Sequence, residues 1–155
     1  WEVDPAGLTT LLERVWSAYA APAGTVLYVT ENGAAYDDLL VDEGSEARVH
    51  DAERVDFLRR HLGAILDAQD AGVDVRGYFY RSLLDNFEWA WGYDKRFGII
   101  HVDYDTQERT LKDSALEYRR VIAARAIDIA PASPADVATV PVVLATVQLY
   151  AATPP

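Results

Sequence analysis

The succession of strand, helix and strand between residues 25 and 80 limits the fold of this chain more than any other feature. Residues 25–30 are rich in β-branched and aromatic side chains without polar alternation, which is typical of a central strand buried on both faces. An amphipathic helix follows, capped by Asp51 and closed at Gly72, and residues 73–80 form the next predicted strand. Strands connected through a helix lie parallel, so the sequence predicts an α/β barrel or a doubly wound sheet.

Helical and irregular segments surround this unit. Asp4 and Pro5 are an N-cap and first-turn pair, and they predict a helix over residues 5–20. Residues 36–48 are polar and acidic and are predicted to form a loop. A long excursion over residues 82–112 contains a strand-like stretch at 98–104, and a helix is predicted to follow it to about residue 125. The excursion holds four aromatic residues close together: Phe87, Trp89, Trp91 and Tyr93.

The composition narrows the chemistry that the chain can perform. A formal net charge of -11 excludes nucleic acid as a partner, because phosphate backbones need clustered Lys and Arg. The chain has no cysteine, and His50, His61 and His101 are scattered, so we expect neither a metal site nor a bound cofactor. Carboxylates, hydroxyls or aromatic rings must therefore carry any chemistry.

Carboxylates follow both predicted strands. Glu31 ends the first strand, where Asn32 and Gly33 allow an abrupt turn, and Asp85 and Glu88 come just after the second. The carboxyl ends of parallel strands meet at one edge of a sheet, so Glu31 and one of the other two are a candidate pair for glycoside hydrolysis. A plainer interpretation stays open at this point, in which Glu31 is an ordinary strand-end charge and the aromatic residues stiffen a loop.

Three stretches of the sequence resemble one enzyme family over residues 1 to about 124. They are YVTENGAAYDD, RVHDAERVDFLRRHLGAI and LLDNFEWAWGYDKRFGIIHVDYDTQERTLKDSALEYRRVI, in this order. Together, and in this order, the three stretches are similar to the C-terminal part of family 1 glycoside hydrolases, the β-glucosidase family. The resemblance implies a partial (β/α)8 barrel, with its last two strands and the helices around them.

The resemblance also implies roles for individual residues in a retaining β-glucosidase reaction on small β-glucosides. Glu31, in the TENG motif, takes the place of the nucleophile that forms a glycosyl-enzyme intermediate. Glu88 and Trp89, in the DNFEW motif, take the places of sugar-binding residues, and Phe97 takes a place near the sugar's hydroxymethyl end. The acid/base Glu of the family belongs to an earlier strand, in a motif that this chain does not contain.

One position departs from the family pattern. Arg81 stands where the family usually has a Trp that forms an apolar floor under the sugar ring. A guanidinium is always charged, so we expect Arg81 to pair with Glu31 or Glu88 if it points into the pocket, and to impair turnover. Because the chain does not contain the acid/base motif, the alternative function is a noncatalytic sugar-binding module or an inert fragment.

The last thirty residues differ from the rest in composition. Residues 126–155 are rich in Ala, Pro and Val, and we expect them to be an unassigned tail, distinct from the barrel portion at residues 1–125. The apolar stretch at 137–150 is too short for a membrane span and contains Pro141. We expect the missing N-terminal barrel portion to be a partner of this chain, no membrane to be involved, and the location to be cytoplasmic.

Overall fold

The computed structural model describes residues 2–42, 44, 47–128 and 139–141. The described helices are α1 (Pro5–Val15), α2 (Ala52–Asp70) and α3 (Asp113–Ala124), with a π-helical turn at Trp16–Ala20 and a 3-10 turn at Trp89–Trp91. The described strands are β1 (Leu27–Asn32), β2 (Leu40–Asp42), β3 (Ala47–Val49), β4 (Val75–Tyr80), β5 (Ile100–Val102), β6 (Arg109–Leu111), β7 (Ala126–Asp128) and β8 (Thr139–Pro141).

The parallel pair of β1 and β4 is the centre of the fold, as the strand–helix–strand pattern predicted. Leu27 lies opposite Val75, and Asn32 lies opposite Tyr80 at the carboxyl end. Helix α2 connects the two strands and packs against α1 beside them. The buried core is formed by apolar residues from these elements and from α3 and β7: Leu12, Val29, Leu58, Leu62, Ile65, Leu66, Ala68, Val73, Val75, Tyr78, Val121 and Ile127.

The prediction that β1 is buried on both faces is wrong. Val29 is buried, but Tyr28 is half exposed and Glu31 is exposed. The physical reason lies in the neighbours, because β4 pairs with one edge of β1 and no other described strand pairs with it. A strand pattern typical of a barrel interior is therefore present on a strand that the described part of the chain covers only partly.

The helix boundaries agree with the sequence patterns. The Asp4 side chain accepts a hydrogen bond from the Gly7 amide at 2.9 Å, which confirms it as the N-cap of α1. Helix α2 begins and ends as predicted, and Gly72 follows it with a φ of 91°. Asp51, however, does not cap α2 through its side chain, because its carboxylate accepts hydrogen bonds from the amide and hydroxyl of Ser114.

Two segments contain more regular structure than the sequence indicated. The predicted loop at residues 36–48 includes strands β2 and β3, which pair as an antiparallel hairpin. The excursion after β4 includes β5 within the predicted strand-like stretch, and β6 pairs with it antiparallel. Strands β2, β3 and β6 were missed because strands of three residues are too brief to show an alternating pattern.

The chain continues past α3 into β7, where Ile127 is fully buried in the core. The predicted boundary between residues 125 and 126 stays a prediction, and most of the expected tail lies outside the described residues. No helix in the described part of the chain is long and apolar enough to cross a membrane. The stretch at 137–150, for which a span was rejected from the sequence, lies outside the described residues apart from 139–141.

Candidate active site

A cavity of about 440 Å³ opens at the carboxyl ends of β1 and β4. Its walls come from the end of β1 and the turn after it, from the residue that follows β4, and from the excursion. Glu31, Arg81, Glu88 and Phe97 all line it. The two strand ends thus bring together Glu31 and Glu88, as predicted for neighbouring parallel strands, whereas Asp85 does not line the cavity.

Arg81 connects the two glutamates of this cavity. Its Nε lies 3.7 Å from Oε2 of Glu31, and its Nη2 donates a hydrogen bond of 2.5 Å to Oε2 of Glu88. The guanidinium carbon stands 4.4 Å from the centre of the Phe97 ring, which is a cation–π contact. The predicted pairing of Arg81 with a pocket carboxylate is therefore confirmed, and we call Glu31, Arg81 and Glu88 the Arg81 cluster.

Gly33 explains how the two strand ends come so close. A Cβ atom at this position would lie 1.7 Å from the carbonyl oxygen of Arg81, which no side chain can tolerate. Beside it, the amide of Arg81 donates a hydrogen bond to the carbonyl of Asn32 at 3.1 Å. A larger residue at Gly33 would push β1 away from Arg81 and open the cavity.

The structure separates the two carboxylates that the residues alone left as alternatives. Glu88 faces the cavity with its side chain 13% exposed, whereas the side chain of Asp85 is fully buried. Asp85 accepts hydrogen bonds from Nζ of Lys112 at 2.8 Å and from Nη1 of Arg96 at 2.7 Å. The oxygens of Asp85 are therefore bonded within the protein interior, and of the two carboxylates only Glu88 lines the cavity.

A buried group of charges lies outside the lining of the cavity, and the sequence did not predict it. Nζ of Lys112 donates to Oδ2 of Asp38 at 2.5 Å and to Oδ1 of Asp85 at 2.8 Å. Arg54 binds Asp38 with both Nη atoms at 2.9 and 2.8 Å. Together with Asp51, which pairs with Arg54, and Arg96, which pairs with Asp85, these residues form what we call the Lys112 cluster.

The Lys112 cluster is electrically balanced. Its three carboxylates match its two guanidinium groups and one ammonium, and five of its six side chains are at most 1% exposed. Buried charges are tolerated only when they are paired and hydrogen-bonded in this way. One sequence signal was present, because Arg54 lies four residues before Leu58 on the buried face of α2, where an apolar residue is expected.

The aromatic residues of the excursion divide into two groups. Phe97 is buried beneath the guanidinium of Arg81 and lines the cavity, and its implied place near the sugar's hydroxymethyl end stays a prediction. Trp89 is 80% exposed, adopts a φ of 43°, and lies outside the set of residues that line the cavity. The role of Trp89 in lining a sugar pocket therefore stays a prediction.

The three histidines lie outside the cavity. His61 stacks on Phe57 with ring centres 3.8 Å apart, its Nδ1 lies 2.8 Å from the Phe57 carbonyl, and burial lowers its pKa. Burial also lowers the pKa of His101. His50 lies 2.7 Å from Asp113, at the start of α3. Among the described residues no group of three or more His, Asp or Glu side chains is arranged to hold a metal ion.

Comparison with known proteins identifies close relatives of this chain. The family model described as glycosyl hydrolase family 1 matches residues 1–127. Beta-glucosidase A of Thermotoga maritima is 49% identical over 122 residues, which are 79% of this chain and 26% of the relative. A bifunctional beta-D-glucosidase/beta-D-fucosidase of Bifidobacterium breve is 52% identical over 125 residues, with the same coverage. This chain thus spans about a quarter of the length of the relatives that it matches.

Solved structures agree with the sequence comparison. The crystal structure of a psychrophilic beta-glucosidase from Micrococcus antarcticus superposes with a TM-score of 0.74 at 55% identity. The superposition covers 80% of this chain and 25% of that structure. The described elements are therefore part of a (β/α)8 barrel, as the sequence predicted, and the parallel pair β1–β4 is a portion of its strand ring.

Proposed function

Because this chain belongs to glycosyl hydrolase family 1, we propose that it carries the nucleophile side of a retaining β-glucosidase site. The observation that carries the proposal is the convergence of Glu31 and Glu88 on one cavity at the strand ends. Both relatives described above are named for activity on β-glucosides. The substrate class we assign is therefore a small β-glucoside or oligosaccharide, acted on by the whole enzyme of which this chain spans a part.

In the proposed reaction, Glu31 attacks the anomeric carbon of the sugar. The glycosidic bond breaks as the ester bond to Glu31 forms, and the leaving oxygen takes a proton from a general acid outside this chain. Water then attacks the same carbon while it gives a proton back to the deprotonated general acid, which releases the carboxylate of Glu31 and leaves the sugar with retained configuration. The exposure of Glu31, whose side chain is 75% exposed, suits a group that must reach an incoming sugar.

Two further residues of the cavity, Glu88 and Phe97, are proposed to hold the sugar together with Trp89, which does not line the cavity in this structure. Glu88 accepts hydrogen bonds from ring hydroxyls, and Phe97 packs near the hydroxymethyl end. Trp89 contributes an apolar face, because sugar C–H groups pack well on indole rings. The aromatic ring of Phe97 already lies at the cavity wall, which supports its part in this assignment.

Arg81 works against this function. To bind a hydroxyl, Glu88 must exchange a charge-assisted hydrogen bond to Arg81 for a weaker bond to a neutral donor. By the family resemblance, Arg81 also replaces a Trp that would form a flat apolar floor under the ring. This bond favours the second candidate function, a noncatalytic sugar-binding module with little or no turnover.

The partner that we assign is the preceding portion of the barrel. Strand β1 has a described neighbour on one edge, and a closed barrel needs all of its strands to be paired. Mixing the chain with the preceding three quarters of a relative such as the Thermotoga maritima enzyme is expected to give a soluble complex. Separate elution of the two pieces in size-exclusion chromatography would refute this assignment.

A mechanism-based label tests the catalytic proposal directly. A 2-deoxy-2-fluoro glucoside with a dinitrophenyl leaving group needs no acid catalyst, so it isolates the nucleophilic step. We expect a covalent mass gain that peptide mapping places on Glu31, and we expect Glu31→Gln to abolish it. Saturable sugar binding without an adduct would support the noncatalytic module, and neither signal would identify an inert fragment.

A further inference from the structure

We propose that Lys112 is a positioning residue that sets the spacing between the segment carrying Glu31 and the segment carrying Glu88. Its ammonium bonds at once to Asp38, in the segment that leaves β1, and to Asp85, three residues before Glu88. The two contacts join parts of the chain that are 74 and 27 residues from Lys112 in sequence. The functional meaning of this spacing rests on the proposed function.

The bridge through Lys112 is rigid on both sides. Asp38 is also held by both Nη atoms of Arg54, which fixes the orientation of its carboxylate. Asp85 also accepts a hydrogen bond of 3.0 Å from the amide of Gly98, adjacent to Phe97, and one of 2.7 Å from Arg96. Each carboxylate therefore has one orientation, and a shift of the ammonium would move both segments.

The location of Lys112 makes it a support and not a ligand-binding group. Its side chain is fully buried, and it is absent from the residues that line the cavity. An ammonium has three donors and no acceptor, so it bridges two carboxylates without needing a solvent contact. We infer that Lys112 acts on a bound sugar only through Asp38 and Asp85, by holding Glu31 and Glu88 at a fixed separation around Arg81.

Glu117 provides an internal reference for a test. Its side chain is 9% exposed and is bonded to Arg120 and Arg59, while that of Glu88 is 13% exposed and is bonded to Arg81. The two glutamates are thus similar in exposure and in partner, but Glu117 lies on α3 and lines a different groove. A change confined to the segments that Lys112 joins alters Glu88 and leaves Glu117 unchanged.

The experiment measures carboxylate labelling by a water-soluble carbodiimide with an amine trap, read by peptide mass spectrometry on the intact chain. The test variants are Lys112→Met and the pair Lys112→Met with Asp38→Asn, which removes the bridge while keeping the buried charge balanced. Lys112→Arg keeps a cation with several donors, and Lys95→Met makes the same change at the chain's other lysine.

For the balanced pair of substitutions we expect labelling of Glu88 to rise about tenfold, the scale of losing its charge-assisted bond to Arg81. Labelling of Glu117 is expected to keep its native rate, and Lys112→Arg and Lys95→Met are expected to behave like the native chain. Unchanged labelling of Glu88 would overturn the proposal. A parallel rise at Glu88 and Glu117, as general loosening or unfolding produces, would also overturn it. Carbodiimide labelling needs no bound sugar, so the 2-fluoro glucoside adduct on Glu31 tests the proposed function separately.

Discussion

The Lys112 cluster and the Arg81 cluster are built from the same kinds of charged groups but differ in charge balance and in exposure to solvent. In the Lys112 cluster three cations meet three carboxylates, and almost every side chain is sealed from solvent. In the Arg81 cluster two glutamates share one arginine, and Glu31 is largely exposed. Burial therefore requires balanced charges in the Lys112 cluster, whereas access to solvent allows an excess of negative charge in the Arg81 cluster.

This difference indicates which charged contacts of the chain are rigid. A buried ion pair is expensive to break, because the partner left behind keeps a charge that no water can solvate. An exposed pair exchanges its partners easily, since water replaces whichever contact is lost. The chain thus has its most firmly fixed charges in the Lys112 cluster, whereas the most exposed carboxylate of the Arg81 cluster, Glu31, lines the cavity.

Removing a central cation of the Lys112 cluster should have the greatest effect. Arg54→Met leaves Asp38 and Asp51 without their guanidinium, so we expect the free energy of unfolding to fall by about 3–5 kcal/mol. Urea denaturation followed by circular dichroism measures this change. Arg76→Met, which removes an exposed arginine paired with Asp74, is the matched control and should leave stability unchanged. Equal stability of the two variants would show that burial does not decide how much these ion pairs contribute to stability.

Glu117 tests a case between the fully buried and the fully exposed ion pairs. Its carboxylate is shielded, but its partners Arg59 and Arg120 are partly exposed. Hydrogen bonds from Arg120 and Arg59 lower the pKa of Glu117 from 4.5 to about 2. A pKa lowered by folding means that this stabilisation is complete above pH 4.5 and is lost as the pH falls toward 2. We expect Glu117→Gln to remove about 1–2 kcal/mol at neutral pH and little near pH 2, after allowance for solvent screening. Urea titrations across this pH range measure it, and a pH-independent effect would contradict the assignment.

Arg81→Trp tests the open cluster itself. The substitution frees Glu88 and provides an apolar floor, so the rate of 2-fluoro glucoside labelling at Glu31 should rise by about tenfold, or about 1.4 kcal/mol in the barrier. In a complete barrel the same change should raise kcat/KM. Arg81→Lys keeps the charge and serves as the control. No gain, or a loss, with Trp would show that Arg81 is not the obstacle that we propose.

The smallest effect is expected for an ion pair on the surface of α2. Arg60 and Asp56 are 3.3 Å apart, and their side chains are 52% and 63% exposed. We expect Arg60→Ala to change the free energy of unfolding by less than about 0.5 kcal/mol. Added salt should have no further effect on the variant. A loss comparable to that of Arg54→Met would remove the contrast between buried and exposed pairs.

Much of the fold was predictable because its signals are local. Asp4 was assigned as an N-cap from its position before Pro5, and its side chain does bond to the amide of Gly7. The parallel pairing of β1 with β4 followed from the helix between them. Asp51 shows the limit of such reasoning, because a capping residue in sequence turned out to serve Ser114 of a different helix. A local pattern cannot show which of two helix ends a carboxylate reaches.

In the candidate site, too, some features were predictable from the sequence and others required the structure. Glu31 was placed at a strand end from the sequence, and the structure puts it at the rim of a cavity. The choice between Asp85 and Glu88 could not be made from the residues, since both follow the same strand. Their different burial in the structure separates them, and buried Asp85 is paired with Lys112, which is 27 residues away in sequence. Arg81 was recognised as unusual from the sequence, but its geometry between two glutamates required the structure.

By itself, the sequence determined the order of helices and strands, the strand-end position of Glu31 and the family of the chain, because hydrophobic periodicity, capping and long motifs act over neighbouring residues. Only the tertiary structure decided which charges are buried together. Asp38 and Lys112 are 74 residues apart, and nothing local marks them as partners. The physical reason is that the energy of a charge depends on how much water remains around it, which only the packed fold determines.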